Sequence, residues 1–410
     1  MNEVHSGLFR GWHVVGAAFA VLFLSYGLQF SYGVFVSGMA TELGWSRAQT
    51  ALPYSIYVFV YSALSAATGR ATDRFGPRPV IAAGAVLLGI GWGTSALVAR
   101  AWQLDVTLGI VAALGMSVAW VPCNATVSRW FTRRRGTAVA IASSGGSLGN
   151  LVVPPVAAAI VTSYGWRTAL AAVALVAATL MLVAARWMIR DPESVGLEPD
   201  GEPPPRSAAV ALAGRRLDEV YSTAPFLLVV AIYLLTWISV FVPFVHGAAY
   251  AEDLGLGKLA AASVISVIGI GGVVGRLSSG VVSDRVGRLP SLVAVFALQV
   301  VAFVAFAGAK GIAALWFAAT TFGFSYGGGV TLLPALCGDL FGRAHVAAIV
   351  GVIFAVAGAP AAMGPYLAGW LFDITGSYGM AFLCSAALNA GSLALTWVLM
   401  RATQRVAPAA

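Results

Sequence analysis

Apolar stretches of about twenty residues recur along nearly the whole chain, from Gly11 to Met400, and about twenty residues is the length an α-helix needs to cross bilayer hydrocarbon. Inside lipid every backbone N–H and C=O must find a partner within the protein, so runs this long specify spanning helices rather than open strands. Set against the turn and charge signals, these windows predict twelve helices. They lie at roughly 11–39, 47–69, 79–98, 104–128, 137–163 and 167–190, then 224–250, 259–281, 290–309, 312–337, 347–372 and 379–401. The first window is longer than a signal-peptide core and no good cleavage site follows it, so it is read as a retained helix. The one long polar stretch, Arg190 to Ser222, contains Glu-Pro-Asp-Gly-Glu-Pro-Pro-Pro-Arg from Glu198 to Arg206, which is linker chemistry. The fold class is therefore an all-α membrane protein of two six-helix units, residues 1–190 and 224–410, joined by a linker at 191–223.

Charge placement supports twelve. The chain carries 24 Lys and Arg against 16 Asp and Glu, a net +8, which in a soluble protein would suggest a nucleic-acid partner. Alternating the loops places 18 of the 24 on one face, 5 (Arg47, Arg100, Arg167, Lys258 and Lys310) on the other, and Arg276 inside a helix. An odd number of spans would scramble that asymmetry. By the positive-inside rule both termini and the linker are expected in the cytoplasm, with the chain in the cell inner membrane. The net charge then needs no nucleic acid. Cys123, Cys337 and Cys384 lie far apart in apolar segments, and are expected to be packing residues rather than a disulfide framework or metal site.

The two halves share a motif. Gly69-x-x-x-Asp73-Arg74-x-Gly76-Pro77-Arg78 in the second-to-third loop returns 211 residues later as Gly280-x-x-x-Asp284-Arg285-x-Gly287-Arg288 in the eighth-to-ninth loop. Leu43-Gly44 and Leu254-Gly255 repeat at the same offset on the other face. Asp73 and Asp284 can accept hydrogen bonds beside basic helix ends. With Arg74, Arg78, Arg285 and Arg288 they are expected to form a latch that breaks when the cytoplasmic side opens.

On these residues the chain resembles the major facilitator superfamily over nearly its whole length. The resemblance implies two six-helix bundles with substrate held between them near the midplane and transport by rocking of the bundles. Arg10-Gly11-Trp12, Tyr32-Gly33-Val34-Phe35, Trp130-Phe131 through Arg135-Gly136 and Gly165-Trp166-Arg167 resemble its monocarboxylate porter branch and the related oxalate and formate exchangers. In that branch an arginine of helix eight, ahead of the loop motif, binds the substrate carboxylate. Arg276 falls at that place.

The residues alone already single out Arg276. It lies eight residues before Asp284, about 12 Å along the helix, where an arginine costs roughly 2.5–3.5 kcal/mol on insertion scales. No Asp or Glu lies deep in any predicted span, so a carboxylate substrate is the expected counter-ion, held by the planar guanidinium fork; the alternative is that Arg276 bonds to backbone carbonyls or snorkels to Asp284 or another end-group. The resemblance implies a second cation in helix eleven for the oxalate exchangers, and here that helix has no Lys or Arg between Val346 and Phe372. A single cation suits one carboxylate, which favours L-lactate, pyruvate or a similar short acid over oxalate. Gln29, Tyr32, Asn124, Asn150 and Tyr326 are the polar candidates to meet the rest of the substrate, and Tyr57, Trp120 and Phe354 the candidate apolar wall.

The chain also departs from the animal carriers of the branch. Where they offer a lysine in helix one it has Phe30, and where an aspartate precedes the arginine by four residues it has Gly272. His246, with an ordinary pKa of about 6.5, is left as the proton-coupling candidate. The expectation is a symporter of a short monocarboxylate and a proton, without a cofactor or metal, for which a monomer suffices. Its rivals are an organic-anion exchanger and a membrane receptor that does not transport. The chain has no His-Glu-x-x-His, Gly-x-Ser-x-Gly or Walker phosphate loop, so an enzyme is not expected.

Overall fold

The computed structural model describes residues 9–45, 47–201, 214–361 and 363–406. The middle of the linker, Arg206 included, lies outside the described residues. Among the described residues twelve helices of membrane-spanning length run in the predicted order: α1 (Arg10–Phe30, continued by Tyr32–Leu43), α2 (Arg47–Phe75), α3 (Pro77–Thr94), α4 (Ala101–Trp130), α5 (135–164), α6 (166–185), α7 (Ala224–Asp253), α8 (Lys258–Val286), α9 (Arg288–Ala307), α10 (Ile312–Phe341), α11 (Val346–Thr375) and α12 (Gly379–Val406). Large apolar side chains such as Phe59, Leu175, Phe317 and Val398 are exposed on the outside, as lipid contact requires. Only a turn separates α5 from α6, where Gly165 takes φ 77° and ψ 163°, a conformation open to glycine alone without strain. Within α4, Asp105–Ala112 is wound as a π-helix, which nothing in the apolar pattern announces.

The repeated motif is mostly helix rather than loop. α2 and α8 run to Phe75 and Val286, several residues beyond the windows. They end at Gly76 and Gly287, which have φ 85° and 96°. Gly69 and Gly280 stay helical because their role is close approach: a Cβ on Gly69 would meet the Ala347 carbonyl oxygen at 2.2 Å, and one on Gly280 the Gly136 carbonyl oxygen at 2.6 Å. These glycines lie where the two units touch, α2 against α11 and α5 against α8. Of the three cysteines Cys123 and Cys337 are buried in packing, but Cys384 is exposed on α12, because its side of the helix faces outward.

Candidate functional site

α8 and α10 approach to backbone contact. A Cβ on Gly275 would lie 1.9 Å from the Phe324 carbonyl oxygen, and one on Gly327 would lie 2.2 Å from that of Gly272. Small residues permit this, and the crossing sets Arg276 beside Tyr326, its guanidinium carbon 5.7 Å from the ring centre. From the other unit Trp120 of α4 comes to 5.8 Å. Nη1 donates to the Ser143 carbonyl oxygen of α5 at 3.0 Å. Arg276 is 6% exposed, Nε has no partner, and no carboxylate pairs with it among the described residues. Cation–π contacts of about 0.5–2 kcal/mol each and one carbonyl offset only part of the cost of burying the charge. The site favours an anion.

Aromatic rings continue outward from this pair. Trp120 packs on Phe354 of α11 at 6.5 Å and on Tyr26 of α1 at 6.3 Å, Phe354 on Trp237 of α7 at 5.0 Å, and Tyr326 on Phe244 at 5.5 Å. Of the expected residues, Trp120, Tyr326 and Phe354 thus gather around Arg276. Tyr26 and Trp237 were not anticipated, and the backbone carbonyl of the alternative reading is that of Ser143. Tyr26 sits one helical turn before Gln29, a spacing that could have raised it; a backbone carbonyl leaves no mark in sequence.

Other expected residues are elsewhere. Gln29 donates to the Tyr54 hydroxyl at 3.3 Å, Tyr32 stacks on Tyr54 at 5.1 Å, and Tyr57 packs against Tyr61 at 5.4 Å and Trp92 at 6.3 Å. These three join a packed cluster of α1, α2 and α3 built around the rings of Tyr54, Tyr61 and Trp92. Asn124 is fully buried and donates to the Trp120 carbonyl oxygen at 2.9 Å, so it fixes the turn that carries Trp120. Asn150 is half-buried two turns along α5 from Ser143, on the same face. His246 is joined to the Tyr378 hydroxyl through Nδ1 at 3.1 Å and to the Pro365 carbonyl oxygen through Nε2 at 2.9 Å. It ties α7 to α11 and to the turn that leads into α12. The carbonyl requires a proton on Nε2, which leaves Nδ1 to accept from Tyr378 in the neutral ring.

On the basic face the units are latched. Asp284 accepts from the Gly136 and Thr137 backbone N–H groups at 2.8 Å each and from the Thr137 hydroxyl at 2.6 Å, all from the opposite unit, and pairs with Arg288. Asp73 pairs with Arg129 and accepts across the interface from the Ala348 N–H at 2.8 Å. Arg129 Nε donates to the Arg343 carbonyl oxygen at 2.9 Å, and Arg343 returns a bond to that of Arg129 at 2.6 Å. Asp339 joins Arg135 and Arg288. The expected latch thus contains Asp73, Asp284 and Arg288, whereas Arg74, Arg78 and Arg285 are exposed. The latter point off the buried side of their helices, and Arg129, Arg135, Asp339 and Arg343 take their place.

At the opposite face Glu42 accepts from the Trp166 indole N–H at 2.6 Å and from Arg167 at 3.0 Å. These bonds, the indole first, hold its carboxyl below the usual range.

The sequence matches the Major Facilitator Superfamily over residues 18–365. Monocarboxylate transporter 11 of Mus musculus is 33% identical, over 93% of this chain and 86% of its own length. Monocarboxylate transporter 13 of Bos taurus is 29% identical over 93% and 88%. Among solved structures, the E. coli fucose:proton symporter FucP superposes with a TM-score of 0.70 at 14% identity, covering 93% of this chain and 98% of that one. The human organic anion transporter MFSD10 gives 0.70 at 15%, over 94% and 99%.

Proposed function

Because the chain belongs to the major facilitator superfamily, in its monocarboxylate porter branch, we propose that it carries a short monocarboxylate together with a proton by alternating access. L-lactate is the first substrate to test and pyruvate the second. One observation carries the proposal: Arg276 is buried between the two units with aromatic partners and a carbonyl but, among the described residues, no acid. At an effective dielectric near 20 a close charge pair is worth about 4 kcal/mol before desolvation, a strength that still allows release. The proton neutralises a cargo whose charge would otherwise feel about 2.3 kcal/mol per 100 mV. His246 is the proton-coupling candidate, since charging its ring turns Nδ1 from acceptor to donor and makes the Tyr378 hydroxyl reverse its bond. The basic face is cytoplasmic in this reading, in an inner membrane, and its latch opens to release substrate inward.

The test is uptake of labelled lactate, pyruvate, acetate and oxalate into proteoliposomes with and without an inward-acid gradient. Symport predicts lactate accumulation driven by the gradient, and loss of that drive in His246→Gln. Movement only in exchange for internal anion, indifferent to the gradient, would establish the exchanger instead.

A further inference from the structure

We propose that Trp120 is a second hydrogen-bond donor to the substrate carboxylate, which is then held by a guanidinium and an indole N–H together. This deepens the reading of Arg276 as an anion site and rests on it. Among the described residues the indole Nε1 of Trp120 is buried without a hydrogen-bond partner, and so is Nε of Arg276. Both residues are 6% exposed. Buried N–H groups are almost always paired, and here two unpaired donors occur on neighbouring side chains. The Arg276 guanidinium carbon stands 5.8 Å from the Trp120 ring centre, so the two side chains are neighbours that one carboxylate can reach together, each oxygen lying about 2.9 Å from its donor. The indole cannot swing away to find another acceptor, since Tyr26 packs edge-on and Phe354 against it, and Asn124 holds the Trp120 carbonyl.

An indole N–H donates and never accepts. Trp120 therefore adds selectivity as well as attraction: it rewards a carboxylate oxygen and offers nothing to the NH₂ of the corresponding amide. The donor comes from the first unit and the guanidinium from the second, so the acid bridges the two.

The test uses Trp120→Phe, which keeps an aromatic ring and removes the donor. L-lactate and lactamide are titrated into the purified full-length parent and variant by calorimetry. Lactate is also titrated into ¹⁵N-labelled parent while indole N–H resonances are followed, the Trp120 resonance being the one missing from the variant. Losing a bond to a charged group predicts lactate binding weaker by about tenfold or more, with an unchanged melting temperature, and a lactate-induced shift of that resonance that lactamide does not cause. Parent-like lactate binding by the variant, or a resonance unmoved by bound lactate, overturns the role of Trp120 and leaves the Arg276 site standing. A parent that binds no monocarboxylate overturns both. If Trp120→Phe fails to fold, Trp120→Tyr, which also lacks the indole donor, identifies the resonance, and the parent titration decides.

Discussion

Replacing Asp284 by asparagine should unlatch the basic face. Its carboxylate takes three hydrogen bonds from Gly136 and Thr137 of the other unit and pairs with Arg288. Each bond to an ionised acceptor is worth about 1.5–3 kcal/mol. Asparagine keeps one acceptor oxygen and turns an NH₂ toward the remaining donors, so the net loss is about 2–4 kcal/mol rather than the sum. Since about 5.5 kcal/mol carries a 99:1 equilibrium to 1:99, half of that makes the two states equal. The assay is pulsed dipolar spectroscopy between spin labels at positions 74 and 285, both exposed and in different units, with the exposed Cys384 replaced by alanine. The parent should give mainly the short distance and Asp284→Asn a comparable longer one. An unchanged distance distribution would refute the latch.

Gly69→Val should block closure of the same face, because its Cβ would fall 2.2 Å from the Ala347 carbonyl oxygen; the same labels should report the longer distance with each unit still folded. Gly275→Ala meets the Phe324 carbonyl oxygen at 1.9 Å within one unit, so it should lower thermal stability by about 1–3 kcal/mol, read by unfolding in detergent. The Glu42 tie has a defined pH window. Its folded pKa is depressed, so its contribution is complete above the ordinary carboxylate value of about 4.3 and is lost as pH falls through the lower folded value. Melting temperatures from pH 3 to 7 should show an acid-side decline that shrinks in Glu42→Gln.

Much of this was legible in sequence because the relevant forces are local or additive. Apolar length and the placement of Arg and Lys set twelve helices, and a lone guanidinium at membrane depth is conspicuous without any fold. Partnership across the chain was not legible. Arg129 and Arg135 read only as cytoplasmic charges and Asp339 as a helix-end acid, yet they close the latch across separations of about 200 residues. Helix assignment alone was likewise insufficient for Gln29, Tyr32 and Tyr57, because rotation about the helix axis decides which side a residue faces. Packing on Tyr54 and Trp92 sets that rotation. Gly69 and Gly280 fell at the ends of their predicted helices with no role assigned, because glycine serves turns and close helix approach equally well; only the neighbouring Ala347 and Gly136 carbonyls distinguish the uses.

The account stands on the guanidinium of Arg276, and the most direct measurement is the concentration dependence of labelled L-lactate uptake by vesicles holding equal amounts of parent and Arg276→Gln. A lost charge-assisted bond of about 1.5–3 kcal/mol predicts apparent affinity lower by roughly 10- to 150-fold, with Arg276→Lys between the two. Saturation of Arg276→Gln at the parent's lactate concentration and rate would contradict it.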